Sequence, residues 1–287
     1  MMLQYLFVIS ALVLSGCSHL FLQPNKLDYA EKIRDKIQLE EGFIATSDGE
    51  KLHYWRIPAQ VHKNKLLERK GVVVQVHGNA ANLTNHVQGL GWITAAGYDL
   101  FVFDYRGYGK SSGSRDLGGA YRDVETALDY VERAPWRGDG PLIFYGQSLG
   151  GTLLLKNLST HPGRWHPKAV VIEGSFYSYQ QIAREKLAGA WLTWPFQWMV
   201  YLVITDKYSL KDTELGTISP TPVYLFQSEH DPIVPAHNAD RIFAALSPPK
   251  ELIKYPEFGH INAMWIKSGE YRAWLLKQLE GQPRDGK

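Results

Sequence analysis

Gly146-Gln147-Ser148-Leu149-Gly150 follows the apolar run Pro141-Leu142-Ile143-Phe144-Tyr145 and precedes a helical pattern that begins at 149. A serine pinned between a strand end and a helix start needs small residues two positions away on either side. Side chains at 146 and 150 would collide with the flanking strand and helix, and glycine removes that clash. The spacing therefore predicts a strand, a sharp turn and a helix, with the Ser148 hydroxyl presented at the carboxyl end of the strand. Open sheets of parallel strands carry their sites at that edge.

The rest of the chain supplies such a sheet. From about residue 43, short β-rich apolar runs alternate with helical patterns, which argues for an α/β architecture: a mostly parallel central sheet covered by helices. Strands are expected at 51–57, 71–76, 99–104, 141–145, 168–172, 222–227 and 250–255, and helices at 84–96, 119–133, 149–159, 236–246 and 262–280. The runs Val72–Val76, Leu100–Phe103 and Ala169–Ile172 are nearly continuous in apolar residues, as strands covered on both faces should be. Residues 176–219 break the alternation with Trp191, Trp194, Trp198 and several Phe and Tyr side chains. Such a stretch suits either a lid over the site or an extra helical pair with its aromatics in the core.

At 287 residues, 45% apolar and a net charge of +2, the chain has the composition of a packed globule. Its basic residues are scattered and form no stripe that could follow a phosphate backbone, so nucleic acid is not an expected partner. The single cysteine, Cys17, excludes an intrachain disulfide and a paired-cysteine metal or redox motif. Neither a metal nor an organic cofactor is expected. Cys17 follows the apolar run Leu6–Leu14 and Ser15-Gly16. That run falls short of the roughly 20 residues a membrane span needs and suits the core of a signal peptide. Leu14-Ser15-Gly16-Cys17 resembles the bacterial lipobox. The resemblance implies a lipoprotein signal peptide over 1–16, a lipidated N-terminus and tether over 17–40, and a domain over 41–287. It also implies a cell-envelope location, anchored through Cys17 to the outer membrane and facing the periplasm. An uncleaved hydrophobic anchor or a buried N-terminal helix are the alternatives.

A serine hydroxyl is a weak nucleophile until a histidine takes its proton and an acid orients that histidine. Asp231 follows the run Val223-Tyr224-Leu225-Phe226, and His260 follows Leu252-Ile253-Lys254-Tyr255, so both are expected just past strand ends. Glu173, ending Val170-Val171-Ile172, is the alternative acid. Acyl transfer also needs N–H donors aimed at the oxyanion. Gly78 permits a tight turn after Val72–Val76 that frees the Asn79 N–H, with Leu149 N–H as its partner. His77, at the same turn, reads as a structural loop histidine.

His77-Gly78-Asn79-Ala80, Asp104-Tyr105-Arg106-Gly107-Tyr108-Gly109, Gly146-Gln147-Ser148-Leu149-Gly150-Gly151, Glu229-His230-Asp231 and Gly259-His260 occur in that order over about residues 70–280. Together they resemble the serine α/β-hydrolases of the Bem46-like group, related to the α/β-hydrolase-domain-containing proteins that include protein depalmitoylases. The resemblance implies an α/β-hydrolase fold, a catalytic triad of Ser148, Asp231 and His260, and an oxyanion hole from Asn79 and Leu149. It implies Asp104 and Arg106 as scaffold. The expected activity is hydrolysis of an ester or thioester of small-molecule or lipid-like character, as in a carboxylesterase, acyl-protein thioesterase or lipase. A serine peptidase or amidase on the same fold, and a non-catalytic envelope-binding lipoprotein, are the alternatives.

Overall fold

Four of the expected strands are buried at every residue, and they form the middle of an eight-stranded sheet. In the computed structural model, which describes residues 21–34, 37–59, 61–62, 65–66, 69–189, 191–266 and 269–281, the strands in chain order are β1 (Glu40–Ala45), β2 (Lys51–Ile57), β3 (Gly71–Val76), β4 (Tyr98–Phe103), β5 (Leu142–Gln147), β6 (Ala169–Glu173), β7 (Val223–Ser228) and β8 (Lys250–Tyr255). Their spatial order is β8-β7-β6-β5-β3-β4-β2-β1. From β8 to β4 neighbours run parallel, whereas β2 pairs antiparallel with both β4 and β1. This is the α/β-hydrolase fold.

The covering helices are α1 (Leu83–Leu90), α2 (Leu117–Arg133), α3 (Leu149–Thr160), α4 (Tyr179–Ala188), α5 (His237–Ala245) and α6 (Glu270–Glu280). Apolar side chains fill both sides of the sheet. Val74, Phe101, Phe144 and Leu154 belong to one buried cluster, and Val73, Leu100, Tyr145 and Leu275 to the other. Alternate residues of one strand thus feed opposite layers, as the pleat requires.

Three departures from the sequence expectation have local causes. The helix expected at 262–280 begins only at Glu270, after a 3-10 turn at Ala263–Trp265 and a left-handed Gly269 (φ 68°). The Ala263 N–H is drawn to Glu173 Oε1 at 2.8 Å instead of into a helix. The helix expected at 84–96 is α-helical only to Leu90 and tightens into a 3-10 segment over Gly91–Ala96. Strand β1 lies at the sheet edge with most of its residues exposed, so its pattern carries little apolar signal.

Part of the expected tether packs on the body. Leu22 and Ala30 are buried, and Gln23–Pro24 pairs in parallel with Ala80–Ala81. The Asn82 side-chain amide donates to the carbonyls of Asn25 (3.0 Å) and Leu27 (2.7 Å). Cys17 and the expected signal peptide lie outside the described residues.

Candidate active site

Ser148 sits at the tip of the turn from β5 to α3 with φ 52° and ψ −119°. A positive φ is uncommon for a residue with a side chain. The flanking glycines make the turn possible: a Cβ on Gly150 would lie 2.2 Å from Val76 O, and one on Gly146 would lie 2.5 Å from Gly151 Cα. The Ser148 N–H donates to Glu173 O at 2.8 Å, which ties the elbow to β6.

The loops after β7 and β8 bring the other two residues together. Asp231 Oδ1 accepts the N–H groups of Ile233 (2.7 Å) and Val234 (2.9 Å), leaving Oδ2 for His260 Nδ1 at 2.7 Å. The Asp231 carboxylate is buried, while the His260 ring keeps partial access. Gly174, at φ 60°, lets the chain after β6 pass under that ring; a Cβ there would stand 3.1 Å from it. Ser148 and His260 line the same cavity, and among the described residues no hydrogen bond joins their side chains.

Glu173, the alternative acid, is fully buried but turned elsewhere. Its Oε2 accepts from Tyr145 OH (2.6 Å) and Gln147 Nε2 (3.2 Å), and its Oε1 from Ala263 N–H (2.8 Å). Burial pushes its carboxyl above the usual range, against the pull of these donors. It links β5 and β6 to the loop that follows His260.

Asn79 and Leu149 also line the cavity. The Asp104–Gly109 segment grips the loop that carries Asn79: Tyr105 OH donates to His77 O and Tyr108 OH to Asn79 O, both at 2.6 Å. Asp104 Oδ1 accepts Leu83 N–H at 2.7 Å. Burial opposes ionisation of Asp104, but His53, His77 and that N–H outweigh it and hold the carboxyl below its ordinary value. Arg106 faces Asp123 (2.7 Å) and Asp48 (2.9 Å), away from the cavity lining. His77 is buried with Nδ1 at 2.8 Å from Gly78 O, in keeping with a loop histidine. Sequence reading missed the two tyrosine hydroxyls and the N-terminal segment, whose Gln23 N–H donates to Asn79 Oδ1 at 2.8 Å.

The cavity holds about 720 Å³. Phe176, Ile182, Leu187, Phe196, Met199 and Val200, all from the 176–219 segment, form much of its wall. Among the described lining residues Lys186 is the single Lys or Arg, and none is Asp or Glu. The aromatics of this segment divide between two surroundings. Phe176, Tyr177 and Tyr179 are buried, whereas Trp191, Trp194, Phe196, Trp198 and Tyr201 are exposed.

Comparison with known proteins agrees with this architecture. The family model described as "Serine aminopeptidase, S33" (Hydrolase_4) matches residues 68–215. The uncharacterized protein YfhR of Salmonella typhi is 31% identical over 236 residues, covering 79% of this chain and 75% of its own. Protein bem46 of Schizosaccharomyces pombe is 26% identical over 196 residues, covering 67% and 62%. Lysophosphatidylserine lipase ABHD12 of Xenopus tropicalis is 27% identical over 194 residues, covering 64% and 49%. The structure of the Pyrococcus furiosus esterase Pf2001 superposes with a TM-score of 0.69 at 18% identity, over 91% of this chain and 97% of that one. The chain belongs to the Hydrolase_4 family of serine α/β-hydrolases.

Proposed function

We propose that the protein hydrolyses esters or thioesters of apolar acyl groups through an acyl-enzyme on Ser148. One observation carries the reading: the strained serine opens, beside a histidine already paired with a buried aspartate, onto a cavity walled by aliphatic and aromatic side chains. His260 Nε2 takes the Ser148 Oγ proton, and the oxygen attacks the acyl carbon. Asp231 fixes the Nδ1–H tautomer and balances the imidazolium that forms. The backbone N–H groups of Asn79 and Leu149 receive the oxyanion. The acyl–leaving-group bond breaks, and the alcohol or thiol departs with the proton from His260. A water, deprotonated by the same ring, then attacks the acyl-enzyme and releases the carboxylic acid and free Ser148.

The family description names an aminopeptidase, which would have to seat an α-ammonium. No carboxylate among the described lining residues offers that partner, whereas apolar walls suit an acyl chain. The likeness to a lysophosphatidylserine lipase supports the ester reading. The test is fluorophosphonate labelling of wild type beside Ser148→Ala, with the adduct mapped by mass spectrometry, followed by a series of p-nitrophenyl esters of rising chain length. Labelling at Ser148 alone, with kcat/KM rising beyond acetate, is expected. Absence of labelling in folded protein overturns the serine mechanism. Release of amino acids from peptide amides with poor ester turnover overturns the substrate class.

A further inference from the structure

Residues 187–205 contain no Asp, Glu, Lys or Arg. Their described side chains divide between two surroundings. Leu187, Phe196, Met199, Val200, Val203 and Ile204 line the cavity. Trp191, Trp194 and Trp198 do not, and they stand 83%, 62% and 60% exposed, beside exposed Leu192, Tyr201 and Leu202. An uncharged, aromatic-rich surface of this kind is out of place against water alone, and its composition is that of a membrane–water interface, where indole and phenol rings concentrate.

The path of the chain indicates what covers it. The described structure begins at Phe21, whose ring lies 5.1 Å from that of Tyr179 and 6.3 Å from that of Phe176, and both Phe21 and Gln23 line the cavity. The chain thus enters the described structure at the wall that Leu187, Phe196, Met199 and Val200 also form, and the sequence before Phe21 carries the apolar run Leu6–Leu14. Ile233, another cavity-lining residue, adds exposed aliphatic surface. Among the described residues no helix is long and apolar enough to cross a bilayer, so this surface suits lying in the interface rather than spanning it.

We infer that the exposed face of residues 191–202 seats the protein on a lipid bilayer, so that the cavity opens toward the membrane and takes its acyl substrate from there. The substrate class rests on the ester reading above; the docking does not. Trp191, Trp194 and Trp198 anchor the segment in the headgroup layer. Phe196 and Met199, at once exposed and cavity-lining, bridge bilayer and cavity. An acyl chain moving along them stays out of water, which favours transfer of long chains over short ones.

The test uses the full chain carrying Ser148→Ala, bound to phosphatidylcholine vesicles with brominated acyl chains, so turnover plays no part in the readout. The expected result is a loss of tryptophan emission relative to unbrominated vesicles. That loss should vanish in the triple variant W191F/W194F/W198F, which keeps an apolar face but removes its three exposed indoles. It should persist in W265F, since Trp265 is exposed but outside the segment; residues 1–20 contain no tryptophan. An equal loss in the triple Phe variant overturns the inference, as does bound protein whose emission bromine leaves unchanged. A dimer in sedimentation that W191D/W194D/W198D dissolves would assign the face to a second copy and overturn it too. With an active Ser148, the triple Asp variant should lose at least tenfold on vesicle-borne esters and keep its rate on soluble p-nitrophenyl acetate. Failure of the ester reading alone would leave the bromine result standing.

Discussion

His260 Nδ1 and Asp231 Oδ2 lie 2.7 Å apart, and the other oxygen of the same carboxylate is held by two backbone N–H groups. The carboxylate is thereby fixed in rotation with Oδ2 turned to the ring, where the Gln227 side-chain amide also donates to it at 3.4 Å. Asp231→Asn puts an amide donor or a poorer acceptor in that place and favours the wrong imidazole tautomer. A fall in kcat on the order of 10⁴-fold is expected, with KM for a soluble ester little changed. Steady-state kinetics and the rate of fluorophosphonate labelling check it.

Glu173→Gln separates the two acids. The Glu173 carboxyl accepts from Tyr145, Gln147 and Ala263, and not from His260. An amide there sets its NH₂ against existing donors. The variant should lose about 1–3 kcal/mol of stability, read by urea unfolding, while keeping most of its kcat. A collapse of kcat at unchanged stability would make Glu173 the orienting acid instead.

Gly150→Ala tests the elbow. The added methyl would stand 2.2 Å from Val76 O and 2.4 Å from His77 O, both backbone atoms that cannot swing aside as a side chain can. Separation of α3 from β3 is the available response. We expect a cost of about 1–3 kcal/mol in thermal unfolding and loss of Ser148 labelling together.

The strand–turn–helix around Ser148 was legible because three kinds of signal agree there: an apolar run, paired glycines and a helical pattern. Asp231 and His260 were legible as residues just past strand ends, since β7 and β8 carry their own apolar runs. What stayed hidden depends on contacts between distant segments. Nothing local in Tyr105 or Tyr108 says that their hydroxyls end on His77 O and Asn79 O. Gln23–Pro24 is too short to read as a strand, and it pairs with an equally short partner. The division of the 176–219 aromatics between core, cavity wall and solvent was equally out of reach. Aromatic content is one signal for all three places, and only the fold around Phe21 and α4 sorts them.

His86 gives the fold an acid sensitivity of predictable sign. Its ring is stacked on His77 at 5.0 Å, and its Nε2–H donates to Ala80 O at 2.8 Å. Burial, reinforced by His77, pushes its pKa from 6.5 down to about 4. As pH falls through that window the unfolded chain takes up a proton that the folded chain refuses. The contribution of His86 is thus fully present above the upper value and is lost toward the lower one. His86→Gln removes this titration. The unfolding temperature of wild type should drop more steeply than that of the variant from near-neutral pH to about 4. Parallel curves would refute the assignment.

Tyr108→Phe tests whether the Asp104–Gly109 segment positions the oxyanion donor. Tyr108 OH reaches Asn79 O at 2.6 Å, and the Asn79 N–H is the proposed donor, so the hydroxyl braces the residue without touching substrate. Its loss should cost about 0.5–1.5 kcal/mol of stability, as for an ordinary hydrogen bond. The displaced donor should also lower kcat roughly tenfold, a fraction of the 2.7–4 kcal/mol such a donor is worth in full. Tyr130→Phe is the control: it removes a hydroxyl of α2 that is bonded to Tyr54 OH at 3.0 Å, away from the cavity lining. Comparable loss of stability in both variants, with kcat falling only in Tyr108→Phe and KM for a short ester steady, would assign the tyrosine a positioning role. Equal kcat in the two would reduce the segment to scaffold.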